Sequence, residues 1–188
     1  MELLMTGQRQ KMHPHKFTLW VAIGSITMMF AGLTSAYIVK RNQPNWLTFD
    51  IPVIFWYSTA VIVLSSITIM LSRKYFAQKE MAKYRQLMAV TTLLGILFVI
   101  MQFIGFKQLT AEGITLTKNV AYSFLYIIVG LHALHVLGGV IALIVIYLKG
   151  FSKRIKSYSA VPVEVMSIYW HFVDLLWIYL LVFLLMIR

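Results

Sequence analysis

Residues 169–188 read "YWHFVDLLWIYLLVFLLMIR". Two ionisable groups, His171 and Asp174, interrupt a run otherwise apolar enough to cross a bilayer. A charge at the centre of a membrane helix costs at least ~2.5–3.5 kcal/mol, so such groups mark a function or a buried partner.

The rest of the chain has the same character. Its 188 residues are 60% hydrophobic and 12% charged, with mean hydropathy +0.80. A soluble domain is nearer about 45–50% apolar and about 25% charged. Apolar segments, each near the ~20 residues that a helical span needs, cover about 17–39, 52–72, 86–109, 120–148 and 165–187. The connections are too short to hold another domain. The expectation is an all-α fold over 1–188, an integral membrane bundle of five transmembrane helices. No small-residue cleavage site follows the first span, so it reads as retained. The chain lacks cysteine, which excludes disulfides, thiolate metal sites and the CxxCH haem attachment.

Charge distribution orients the bundle. Of 17 Lys and Arg, three lie in the N-terminal tail, five in the second connection and four in the fourth, against five on the opposite side. The positive-inside rule then predicts a cytoplasmic N-terminus and an outer C-terminus. It also accounts for the net charge of +11. Anionic headgroups, not nucleic acid, are the expected neighbours.

Small and hydroxylated residues mark where membrane helices approach closely. The first span has Thr27, Ala31 and Ser35 at steps of four, with Gly24 and Gly32 alongside. The second has Ser58, Ser65 and Ser72 at heptad spacing, and the third aligns Thr91, Gly95, Gln102 and Gly105. These read as packing seams, with Ser65 and Gln102 as interhelical hydrogen-bonding groups.

The fifth span places Glu164, Ser167, His171 and Asp174 at offsets 0, 3, 7 and 10, on one face. The fourth places His132, His135, Gly139 and Ala142 at the same offsets. Counted from the outer ends, His132 is 12 residues in and Asp174 is 13, while His135 is 15 in and His171 is 16. Matching depths on antiparallel neighbours predict a buried polar cluster of His132, His135, Glu164, His171 and Asp174. In it Asp174 accepts from a histidine N–H, which offsets the desolvation of both. By ligand type His132, His135, His171 and Asp174 could bind a metal, and His171 with one histidine of the fourth span could bracket a haem. Packing is the reading preferred over cofactor binding or proton handling. No nucleophile–base pair or phosphate loop is present, so no catalytic, cofactor-binding or metal-ligating residue is assigned.

At these residues the chain resembles subunit III of the haem–copper oxidases. "YWHFVDLLWIYLL", with Glu164 seven residues before His171, resembles that family's C-terminal helix, and "GLHALHVLGGVIAL" (130–143) its two-histidine helix. "WVAIGSITMMFAGLTSAY" (20–37), "LSSITIMLS" (64–72) and "LLGILFVIMQFIGFKQL" (93–109) are similar to three earlier helices, in order. The chain resembles the shorter, five-helix bacterial form. The resemblance implies an accessory, non-catalytic subunit of a proton-pumping terminal oxidase in the bacterial plasma membrane. Such a subunit packs on subunit I, joins subunit II and other small subunits, and sustains proton uptake and the stability of the oxygen-reducing site. Haem and copper are then expected in subunits I and II and none here. Phospholipid and a larger respiratory supercomplex are further implied partners. Two departures stand out: Ile26 and Gly105 occupy positions where the family commonly has glutamates, so roles given to those carboxylates do not transfer. A quinol oxidase subunit is the nearest alternative. A small transporter or haem-binding membrane protein using the His/Asp groups is the alternative from another class.

Overall fold

The computed structural model describes residues 14–42, 46–48, 50–150 and 160–187. Five helices follow in order: α1 (Pro14–Arg41), α2 (Ile54–Ala77), α3 (Met81–Ala111), α4 (Val120–Lys149) and α5 (Val161–Ile187). Each is long and apolar enough to cross a membrane, and no strand occurs among the described residues. The fold is the expected all-α membrane bundle. The helices outrun the apolar segments that announced them. The basic stretches 73–77 and 81–85 remain helical, because a helix satisfies its own backbone groups in lipid and in water alike. Residues 52–53 fall outside α2: Pro52 has no N–H to give, and its carbonyl instead accepts from Phe55 N–H at 3.0 Å. Of the basic residues used for orientation, Arg9, Lys11, Lys153, Arg154, Lys156 and Arg188 lie outside the described residues.

The helix ends follow local chemistry. Asn119 caps α4, its side-chain oxygen accepting from Ala121 N–H at 2.9 Å. α3 stops at Gly113, whose φ of 78° suits glycine. There Gly113 N–H reaches Thr110 O and Ile114 N–H reaches Leu109 O, so the last carbonyls are satisfied. The turn from α2 to α3 repeats that geometry with Lys79 in the left-handed position, at φ 61°.

Packing makes an open ring around α5. Going round, α1 touches α4, α4 touches α3 and α3 touches α2, while α5 meets α1, α2 and α4. The ring does not close, because α1 and α2 approach each other nowhere among the described residues. Between membrane helices there is no hydrophobic driving force, so shape and hydrogen bonds hold the contacts. The indole of Trp170 supplies the clearest example. It is fully buried between Gly95 of α3 and Gly139 of α4. A Cβ on Gly95 would stand 2.8 Å from Trp170 Cη2, and one on Gly139 3.0 Å from Trp170 Cζ3. The two glycines are the slot that the tryptophan needs.

The seams on α2 and α3 are packed as their spacing implies. Ser58, Ser65, Ser72, Thr91 and Gln102 are all buried. The stripe on α1 is not. Thr27, Ala31 and Ser35 are exposed, and nothing lies within 4 Å of a Cβ built on Gly24 or Gly32. α1 instead turns Phe30, Thr34 and Tyr37 inward. Small residues announce that a close approach is allowed, and they do not say from which molecule.

Candidate functional site

Every polar group that ties α5 to its neighbours projects from a known side of that helix. Towards α2, Trp170 Nε1 donates to Ser65 Oγ at 2.9 Å and Trp177 Nε1 donates to Thr59 Oγ1 at 2.9 Å. His171 Nδ1 lies 2.5 Å from Ser66 Oγ on the same side. Towards α4, Tyr169 Oη donates to the His135 carbonyl at 3.0 Å. Towards α1, Tyr179 Oη and Thr34 Oγ1 share a bond of 3.1 Å. Ser65 is satisfied twice over, since its hydroxyl also donates to Ile62 O at 2.7 Å. Gln102 Nε2 donates to Ser58 Oγ at 3.0 Å and locks α3 to α2.

This geometry divides the predicted cluster. Asp174 is only 4% exposed, yet neither carboxylate oxygen has a hydrogen-bond partner among the described residues. His132 is fully buried and both its ring nitrogens are likewise without a partner among the described residues. Its ring stacks on Trp177, centroids 5.1 Å apart, with the edges of Phe30 and Phe98 beside it. His135 Nδ1 bonds its own helix at Leu131 O, 2.7 Å away, and its ring meets Phe30 edge-on.

The expected Asp174–histidine hydrogen bond is therefore absent among the described residues. The reason is rotation rather than depth. At 100° per residue, Asp174 stands well over 100° round α5 from Tyr169, which bonds α4, and beyond Trp170 and Trp177, whose rings reach Gly139 and His132 of α4. The face carrying His171 and Asp174 is real, and it looks at α2. Glu164 belongs to neither group. It ends in an ion pair with Lys16 of α1 at 2.7 Å and lies 3.9 Å from Arg73 of α2. Among the described residues no three His, Asp or Glu side chains converge as a ligand set would.

Several of the working residues carry no signal of their own in the sequence. Ser66 sits one residue off the Ser58–Ser65–Ser72 stripe, and Lys16 and Arg73 read only as orienting charges. Trp170 and Trp177 repeat at seven, and that repeat was the available clue to the face that binds α2. Ile26 is a partly buried side chain packed against the core. Gly105 lets the ring of Phe55 lie where a Cβ would otherwise be.

The fold and its central helix define a polytopic α-helical membrane protein in which buried side chains such as Gln102, Trp170 and Trp177 bond from one helix to the next. A family model described as cytochrome c oxidase subunit III matches residues 16–187. The chain belongs to the cytochrome c oxidase subunit III family. It is 32% identical over 185 residues to the probable cytochrome c oxidase subunit 3 of Nocardia farcinica, covering 90% of this chain and 89% of that one. It is 28% identical over 167 residues to cytochrome c oxidase subunit 3 of Bacillus subtilis, covering 86% and 80% respectively. The probable subunit 3 of Mycobacterium tuberculosis is 31% identical over 178 residues, covering 89% and 85%.

Proposed function

We propose that the chain is an accessory subunit of a proton-pumping terminal oxidase in a bacterial plasma membrane, with its N-terminus in the cytoplasm. In this reading it packs on the subunit that holds the oxygen-reducing centre and supports that subunit's stability and proton uptake. It contributes no haem or copper ligand. Subunit II and the smaller chains of the complex are further partners. The observation that carries the reading is the family match over residues 16–187. The ionisable residues of the α4–α5 pair agree with it. His132 is held in an aromatic box, His135 on its own helix and His171 on Ser66, which is what a packing role asks of them. A phospholipid is a further proposed ligand. A groove of about 620 Å³ between α1, α4 and α5 is lined by Leu19, Ala22, Gly138 and Met166, with Lys149 at its rim. That combination suits acyl chains below a phosphate.

Affinity purification of the tagged chain from its native membrane tests the proposal. The larger oxidase subunits should co-purify, with all the haem and copper on them. A chain that purified alone with its own Soret band would contradict it.

A further inference from the structure

α5 carries a further stripe, bonded to α2 at His171 and exposed at Leu175, Ile178 and Val182. Ile168, His171, Leu175, Ile178 and Val182 follow one another at alternating steps of three and four, the spacing of a seam that receives a second helix. The stripe lies over the gap in the ring, between α1 and α2. Leu175, at its middle, is 69% exposed, and Ile178 and Val182 are open with it. Both walls of the gap are fixed. The Tyr179–Thr34 bond holds the α1 side, and the Ser66–His171 and Thr59–Trp177 bonds hold the α2 side. Val63 and Met70 stand exposed on either side of Ser66. Glu164 closes one end of the gap by reaching both Lys16 and Arg73. Packed helix axes lie about 8–10 Å apart, and α1 and α2 do not touch among the described residues, so their facing sides are left open to a further helix.

The chemistry of the gap selects its occupant. His171 is the eleventh residue of α5, about 15 Å along the helix at 1.5 Å per residue, and so at hydrocarbon depth. Its Nδ1 faces Ser66, while its Nε2 has no hydrogen bond to the described residues. Lipid tails cannot supply one, and an unsatisfied polar group in the bilayer core is costly. A transmembrane segment with a polar side chain at that depth can. We propose that the gap between α1 and α2 seats one transmembrane helix of a partner subunit, which lies along the α5 stripe and hydrogen-bonds His171 Nε2. The proposal rests on the chain being a subunit of a membrane complex, and adds which face it uses.

The test is a photo-crosslinking amino acid placed singly at Leu175 and at Val63, in the complex purified intact from native membrane. Leu134, on α4, is the reference for labelling by lipid. Both gap positions should join the same transmembrane segment of one other subunit. Independently, His171→Leu should lower retention of the chain in the detergent-washed complex about five- to tenfold, the range expected of one membrane hydrogen bond. His171→Gln should hold near the unsubstituted level. Adducts at Leu175 and Val63 with lipid alone, or with a second copy of this chain, would overturn the proposal. So would equal retention of the Leu and Gln variants. If oxidase subunits co-purify while the gap labels only lipid, the docking face is wrong and the subunit reading stands. If no other subunit co-purifies at all, both fall.

Discussion

Asp174 and Ser65 lie at similar burial on the α2–α5 contact and should respond to substitution with opposite sign. Ser65 accepts the Trp170 N–H, so Ser65→Ala leaves a buried donor unpaired and should cost the isolated chain about 1–3 kcal/mol. Asp174 has no partner among the described residues. Replacing an unsatisfied buried group by an apolar one of similar shape is close to neutral or stabilising. Asp174→Leu should therefore leave the midpoint of unfolding in detergent unchanged or raised. A large loss of stability would show that the carboxylate has a partner. Gly95→Ala is the sharpest test of the tryptophan slot. Its Cβ would meet a buried indole at 2.8 Å, and overpacking of this kind costs about 1–3 kcal/mol. The same unfolding measurement reads it, and Gly24→Ala, where nothing lies within 4 Å, is the matched substitution expected to cost nothing.

At the scale of elements, the α2–α3 turn makes a prediction of its own. Lys79 holds φ at 61° in a position that glycine occupies at the end of α3. Side chains are disfavoured there by about 1–2 kcal/mol, and the greater freedom of glycine in the unfolded chain returns part of that. Lys79→Gly should raise stability by several tenths of a kcal/mol to about 1 kcal/mol, measured as a shift in the unfolding midpoint. The helices themselves were legible in the sequence because length and hydropathy are properties of each segment alone. Rotation about the helix axis was not. A 0–3–7–10 pattern shows that Glu164, Ser167, His171 and Asp174 share a face, but the choice between α2 and α4 depends on which neighbour offers room for Trp170. Gly95 and Gly139 make that room, and their partner is not written beside them in the chain. The exposed stripe on α1 failed for the same reason, since its small residues permit contact without naming the molecule.

Among the described residues the molecule is a five-helix bundle in which α1 and α2 do not touch, and side chains of α2, α3 and α5 tie neighbouring helices together. On the function proposed above, it supports a reaction centre carried by other subunits. Its removal should therefore spare the chemistry and shorten the life of the enzyme that performs it. The most direct measurement is a time course of oxygen consumption by the purified oxidase prepared with and without this chain, with the haem spectrum recorded alongside. The account predicts the same haem spectrum and a comparable initial rate in both preparations, followed by faster loss of activity during turnover where the chain is absent. Loss of a haem signal, or of oxygen reduction from the first turnover, on removing this chain alone would contradict it.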